Sequence, residues 1–151
     1  MSELQLPVGV LLKIIEKEIC RRVGEYAAEF GLTYAQMHVL QFICRSDGAV
    51  CQRDLERCFD LSHATVSGLI DRLQAKDFLT VNADPEDRRR KILCATKKAH
   101  VCSDALKGYI MRSDLQLLHG FTPEETAVFR SYLNRLTKNL SIPNVDPAAD
   151  V

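Results

Sequence analysis

The chain has 151 residues, 46% of them apolar, and its 20 basic and 20 acidic side chains leave a formal net charge of zero at pH 7. This length and apolar content suit one domain, or two small lobes that share a core. No apolar run approaches the ~18 residues that span a membrane. Residues 1–5 lack the basic region that begins a signal peptide, so we expect a cytoplasmic protein.

The first part of the chain is predicted to be helical. Apolar residues recur at spacings of three and four, which predicts a long amphipathic helix over about residues 7–30. Gly31 is expected to end this helix, since glycine is common just after a helix C-terminus. Thr33 and Gln36 then form a capping-box pattern, which predicts a second helix that runs to about Arg45.

A short strand is predicted at residues 49–51 and a brief third helix at residues 52–58, before Ser62 caps a fourth helix. The buried stripe of the fourth helix is predicted to be Val66, Leu69, Ile70 and Leu73. Its outward side chains are small or hydrogen-bonding, as in a helix that enters the major groove of DNA. The candidate DNA-contacting residues are Ser62, His63, Ala64, Thr65, Ser67, Gly68 and Arg72. Two alternatives are an ordinary water-facing helix and, for Arg72, a pairing with Asp71 or Asp87.

A hairpin is predicted directly after this helix. Residues 79–82 and 91–95 are typical of strands, and residues 83–90 between them are rich in turn formers. From Glu86 to Lys98 there are six basic and two acidic side chains, so positive charge is concentrated at the hairpin. Such a run is often merely solvated, but its place beside a recognition-type helix favours contact with DNA. The candidate wing residues are Asp87, Arg88, Arg89, Arg90 and Lys91.

Two long helices complete the chain, one capped by Thr96 and one by Thr122. The predicted fold is mainly α with a small β-hairpin wing, in the order α-α-β-α-α-β-β-α-α. Residues 33–96 are assigned to a winged helix-turn-helix, residues 1–32 and 97–140 to dimerisation helices, and residues 141–151 to a loose C-terminal tail. The long helices exceed what the winged helix needs, so we expect their apolar faces to pair with a second copy.

Three segments carry a family resemblance: residues 31–40 (GLTYAQMHVL), 61–73 (LSHATVSGLIDRL) and 84–90 (DPEDRRR). They are similar to the second-helix signature, the recognition helix and the wing tip of the MarR (multiple antibiotic resistance regulator) family of bacterial and archaeal transcription factors. The order and spacing of the segments make the resemblance specific, and it extends over about residues 11–140.

The resemblance implies a homodimer that binds a pseudo-palindromic operator in double-stranded DNA. Family members are usually repressors, released by a small, often phenolic or aromatic anion or by cysteine oxidation. The family's wing-tip Asp-x-Arg falls on Asp87 and Arg89, which implies that Arg89 enters the minor groove while Asp87 orients its guanidinium. The chain departs from the family pattern at Asp77 and Ala99, where glycine is usual, and at Asn82, where a basic residue is common. Aspartate tolerates the left-handed conformation that the first of these positions requires.

The effector site is marked less clearly. Tyr34 and His38 on the second helix are candidate lining residues for a small-molecule pocket between the dimer lobe and the winged helix. His38 also suggests zinc, because some zinc-responsive relatives carry a histidine there together with a histidine cluster on the fifth helix. Residues 105–109 contain no histidine, and a closed tetrahedral site needs four ligands. We therefore expect neither a metal nor a cofactor.

Six cysteines (Cys20, Cys44, Cys51, Cys58, Cys94 and Cys102) are expected to stay reduced in the cytoplasm. Free cysteines are commonly just small buried side chains, whereas a redox sensor needs an accessible thiolate. Cys94 and Cys102 have basic neighbours in sequence, and Cys20 lies in the expected dimer region. A cysteine-based redox-sensing regulator of the same fold is therefore an alternative.

Two further function classes are disfavoured. The chain has no glycine-rich phosphate loop, no HExxH and no GxSxG, so an enzyme is not indicated. A winged-helix protein-interaction module without DNA binding would keep the fold and lose the basic wing, and this chain keeps arginines at positions 88–90. We expect a DNA-binding regulator that is associated with the nucleoid when bound.

Overall fold

The computed structural model describes residues 6–142. Its elements are α1 Val8–Ala28, α2 Tyr34–Arg45, α3 Gln52–Phe59, α4 His63–Ala75, β1 Leu79–Ala83, β2 Lys91–Ala95, α5 Lys97–Leu117 and α6 Pro123–Asn139. The two strands pair antiparallel, with Val81 opposite Leu93. The predicted mainly α class with a β-hairpin wing is confirmed. Residues 1–5, used for the signal-peptide expectation, and residues 143–151 of the expected tail lie outside the described residues.

Local signals set most of the helix starts. Thr33, Ser62, Thr96 and Thr122 each accept a hydrogen bond from a backbone N–H in the first turn of the following helix. Each such bond satisfies a donor that a helix start otherwise leaves unpaired. Gly31 follows α1 with φ +69°, in the left-handed region that glycine adopts without steric cost. Because these signals are local, the predicted helices and hairpin strands begin and end within two residues of the observed ones.

The strand predicted at residues 49–51 is the exception, because it is reduced to a single bridge. Val50 alone pairs with β2, where its carbonyl accepts from the Leu93 N–H at 2.8 Å. Pairing stops at the next residue, since the Cys51 N–H donates to the Asp54 carboxylate at 2.8 Å as part of the α3 capping box. The helix cap therefore takes the donor that a longer strand would need.

The core lies between α2, α3, α4, the hairpin and the first half of α5. Its fully buried large side chains include Met37, Leu40, Leu55, Val66, Leu73, Phe78, Leu79 and Leu106. Along their described lengths, α1 contributes one buried residue, Ala27, and α6 contributes none. Tyr26 of α1 stacks on Tyr109 of α5 with ring centroids 4.3 Å apart. The core of the winged helix (residues 33–96) is thus closed by the first half of α5, whereas the long-helix lobe (α1, α5 beyond its first half, and α6) has no closed core within the described residues.

Candidate nucleic-acid interface

The fourth helix, α4, has one buried and one open face. The four residues of the predicted apolar stripe are at most 6% exposed. At the start of the helix, the Ser62 hydroxyl accepts from the Thr65 N–H at 3.2 Å. On the open face, Ser62, His63, Ala64, Thr65 and Arg72 are exposed, and Ser67 and Gly68 are half-buried. A side chain added at Gly68 would meet only open space, so this face leaves room for a close approach.

The first residue of α4 is tied to the preceding helix. His63 Nδ1 lies 2.7 Å from the Glu56 Oε1 of α3. The Gln52 amide donates to that same oxygen and to the His63 carbonyl, both at 3.2 Å. The His63 side chain nevertheless remains 80% exposed. His63 is predicted from the sequence, but Glu56 and Gln52 are not, since contacts across the helix-turn-helix corner leave no short-range pattern.

The base of the wing is braced by Asp84 and Arg90. The Asp84 N–H donates to the Arg90 carbonyl at 2.8 Å, and the Asp84 side chain accepts from the Glu86 N–H at 2.9 Å. The Asp84 carboxylate also lies 3.7 Å from the Arg90 guanidinium. A hydrogen bond with the Cys51 sulfur is the largest cause of the raised pKa of Arg90. Arg90 therefore braces the base of the wing, whereas the sequence predicted for it only a contact with DNA.

The tip of the wing carries Asp87, Arg88 and Arg89, all exposed. The Asp87 carboxylate accepts from the backbone N–H of Arg89 at 3.0 Å, whereas the resemblance implied a bond to the Arg89 guanidinium. Asp87 therefore orders the backbone of the tip. Within residues 6–142, neither Arg88 nor Arg89 takes part in an ion pair, so both guanidinium groups are available to phosphates or base edges.

A groove of about 440 Å³ separates α4 from the wing. Its lining includes Ser67, Asp71 and Gln74 from the helix, and Arg88 and Lys91 from the wing. The helix thus supplies mainly hydrogen-bonding groups to this groove, and the wing supplies positive charge. In the described part of the chain, Arg72 forms an ion pair with neither Asp71 nor Asp87, so the bracing alternative for Arg72 is not realised.

A second cavity, of about 230 Å³, lies between α1, α2 and α5. Both predicted pocket residues, Tyr34 and His38, line it together with Met37 and Gln41. Gln41 is 5% exposed, and its Nε2 has no hydrogen-bond partner, the single such case among buried side-chain nitrogens and oxygens in residues 6–142. A buried donor without an acceptor costs about 1–3 kcal/mol. The sequence did not mark Gln41, because glutamine is mostly exposed in proteins.

The α2 side of this cavity is aromatic. Burial raises the pKa of Tyr34 to about 12, and a hydrogen bond with Cys20 of α1 is the next cause. The Tyr34 phenol is therefore neutral across the physiological pH range. The His38 ring lies 5.3 Å from that of Tyr34 and 5.4 Å from that of Phe59, so His38 is part of an aromatic row that runs from the cavity towards α3.

The three predicted redox cysteines have different surroundings. Cys102 is 1% exposed and its thiol lies 3.7 Å from the Met37 sulfur. Burial raises the pKa of Cys102, so this residue is a core thiol and the prediction of a redox role for it does not fit the structure. Cys94 is half-buried and accepts from the Asn82 amide at 3.4 Å. Cys20 is also half-buried, and redox sensing by Cys20 or Cys94 stays a prediction.

Two features are absent from the described part of the chain. No group of three or more His, Cys, Asp or Glu side chains in residues 6–142 is placed to hold a metal ion. In the same part of the chain, no helix combines the length and the apolar character needed to cross a membrane.

The capped α4, the hairpin wing and the groove between them define a winged helix-turn-helix protein. The model of the MarR family matches residues 30–90 of the chain. The HTH-type transcriptional repressor NicR of Pseudomonas putida is 29% identical over 75 residues, which cover 47% of this chain and 48% of NicR. The chain thus spans about half the length of that relative.

Solved structures extend the likeness to most of the chain. The transcription regulator MarR from Oenococcus oeni PSU-1 has a TM-score of 0.65 and 29% identity, covering 87% of this chain and 99% of that one. The MepR–DNA complex of Staphylococcus aureus has a TM-score of 0.74 at 20% identity, covering 89% and 99%, and shares the fold. The resemblance predicted from three segments is confirmed: the MarR family model matches residues 30–90, and a solved MarR transcription regulator matches most of the chain.

Proposed function

We propose that this protein binds a pseudo-palindromic DNA operator as a homodimer and represses transcription. The observation that carries the proposal is the exposed face of α4 beside a wing whose Arg88 and Arg89 are free of ion pairs within residues 6–142. A helix of this kind fits the major groove, and a tip arginine fits the adjacent minor groove or the phosphates. In this proposal the protein is cytoplasmic and is associated with the nucleoid while bound.

Two relatives support these finer points. NicR is named as a transcriptional repressor, and the MepR structure contains DNA. The alternative within the same fold is a protein-interaction module. The groove lined by Arg88 and Lys91 fits the negative charge of DNA and is not required by that alternative. We therefore favour repression through DNA binding.

The dimer is inferred from the apolar side chains that the long-helix lobe exposes. They include Val10, Leu11, Ile14 and Ile15 of α1, Met111 and Leu115 of α5, and Val128, Phe129 and Tyr132 of α6. Scattered exposed apolar residues are ordinary, but sets of them on three helices mark an interface. A second copy related by a two-fold axis would bury the same set on both sides, and would present two α4 helices to two half-sites.

The cavity between α1, α2 and α5 is our proposed effector site. Tyr34 and His38 offer a surface for an aromatic ring, and the unpartnered Nε2 of Gln41 calls for an acceptor on the ligand. A small aromatic or phenolic acid meets both requirements. Met37, on the same helix, is fully buried in the core of the winged helix, so displacement of α2 by a ligand would be transmitted towards α4.

The first test is fluorescence anisotropy of the full chain on a duplex from upstream of its own gene, against a scrambled duplex, at several salt concentrations. Specific binding to two related half-sites, weakening steeply with salt, is expected. Equal and weak binding to both duplexes, with no dependence on salt, would instead favour the protein-interaction module.

The effector is tested with single-ring aromatic acids, added to the protein–operator complex. Release of DNA by at least one of them is expected from wild type. Gln41→Met keeps the volume, removes the unpartnered donor, and should preserve folding and operator binding while abolishing the response. An unchanged response in Gln41→Met would place the effector elsewhere.

A further inference from the structure

We propose that Glu56 and Gln52 of α3 fix the His63 ring so that its Nε2 selects a base with an exocyclic amino group in the operator. The inference rests on the proposed DNA binding and deepens it. His63 would be the residue that reads the base. Glu56 and Gln52 would be positioning residues that act through it.

The hydrogen bonds around His63 determine which ring nitrogen carries the hydrogen. An ionised carboxylate only accepts, so at 2.7 Å from the Glu56 Oε1 the His63 Nδ1 must be the donor. The Gln52 amide then donates to that oxygen and to the His63 carbonyl. Its nitrogen also lies 3.0 Å from the His63 Nδ1 and 3.5 Å from Nε2, at the edge of hydrogen-bond distance. In the neutral ring, a hydrogen on Nδ1 leaves Nε2 as an acceptor.

The Nε2 atom is in a position to meet DNA. His63 is the first residue of α4 and its side chain is 80% exposed, while that of Glu56 is only 23% exposed. In helix-turn-helix proteins, the N-terminal residues of the recognition helix contact base edges. An acceptor in the major groove pairs with the N6 amino group of adenine or the N4 amino group of cytosine. The contacted strand is therefore expected to carry one of these two bases.

The experiment is a selection of bound duplexes from a pool with a randomised central region, using the full-length protein. One symmetry-related pair of positions should favour adenine or cytosine by about fivefold or more. His63→Ala should lose the preference at these positions alone.

A matched pair of variants separates positioning from charge. Glu56→Gln and Glu56→Met remove the same negative charge at nearly constant volume, but only glutamine keeps an acceptor for Nδ1–H. We expect the base preference at about pH 8 to survive in Glu56→Gln and to be lost in Glu56→Met. Circular dichroism and thermal melts of both variants confirm that the fold is kept.

The outcomes distinguish this inference from the proposed function. A selection that yields a defined operator with no position sensitive to His63→Ala, or a preference equal in the two Glu56 variants, overturns the inference and leaves the proposed function standing. A selection from which wild type recovers no sequence overturns both.

Discussion

The winged helix and the long-helix lobe use the same kind of helix cap, but they bury very different numbers of side chains. α2 in the winged helix and α6 in the lobe both open with a complete threonine capping box, built by Thr33 with Gln36 and by Thr122 with Glu125. α2 nevertheless buries six of its twelve residues, and α6 buries none of its seventeen. Capping therefore determines where a helix starts, and only tertiary partners determine whether its apolar face is buried.

This difference in burial suggests that the winged helix binds DNA and that the lobe forms the dimer. The winged helix packs α4 and the hairpin around a core that the first half of α5 completes. The lobe carries apolar surface that a single copy leaves in water, so we expect its stability to depend on the proposed dimer. Four sets of variants test this division, given from the largest expected effect to the smallest.

The largest effect is expected from a comparison of two phenylalanine substitutions, Phe78→Ala and Phe129→Ala. Phe78 is 1% exposed in the core of the winged helix, whereas Phe129 on α6 is 40% exposed. Phe78→Ala should lower the free energy of unfolding by about 3–5 kcal/mol at any protein concentration, because it leaves a core cavity. Phe129→Ala should lower apparent stability in a concentration-dependent way. Urea denaturation at two protein concentrations measures both, and equal concentration-independent losses would refute the division.

A charge in the lobe should break the dimer and spare the fold. Leu115 is 73% exposed on α5, and Leu115→Asp would place an unpaired carboxylate in the proposed interface. We expect the dimer Kd to rise about 30-fold or more, the equivalent of about 2 kcal/mol. Sedimentation velocity provides the measurement, and Gln116→Asp on the next, polar position is the control. A wild type that stays monomeric at micromolar concentration would remove the basis of this prediction.

Two neighbouring arginines of the wing should respond differently. Arg89→Ala should lower the salt slope of DNA binding by about one unit per protomer without altering the melting temperature, since one phosphate or groove contact is lost. Arg90→Ala should also lower the melting temperature slightly, because Asp84 loses its ion pair. Anisotropy titrations and thermal melts separate the two effects. Identical behaviour of the two variants would mean that the contact between Asp84 and Arg90 does not stabilise the wing.

The smallest effect is expected at the cap of α3. The hydrogen bond from the Cys51 N–H lowers the pKa of Asp54. The stabilisation of the fold by ionised Asp54 is therefore complete above the pKa of an unfolded aspartate, about 3.9. It is lost as the pH falls through the lower pKa of the folded state. Asp54→Ala should therefore cost about 1 kcal/mol near neutral pH and progressively less in acid.

Glu125→Ala, in the equivalent position of α6, is the comparison for that cap. It should change global unfolding less, because no residue of α6 is buried in the single copy described here. Urea denaturation as a function of pH tests both variants. A cost of Asp54→Ala that stays constant down to about pH 3 would contradict the assigned cause.

The sequence alone determined the helices, the hairpin and the family resemblance, because these depend on neighbours within a few residues. Capping boxes span three positions, amphipathic stripes repeat every three or four, and the three MarR-like segments are continuous stretches. The exposed side of α4 followed from the same periodicity, and the positive charge of the wing followed from its composition.

Tertiary structure alone decided the contacts between residues distant along the chain. Three such features form only when separate elements are packed together. They are the β-bridge between Val50 and Leu93, the hydrogen bond between Glu56 and His63, and the burial of the Gln41 Nε2 without a partner. No local pattern encodes them, because hydrogen bonding and burial depend on which groups surround an atom in space. The physical roles of Arg90 and Arg89, adjacent and chemically identical, differ for that reason.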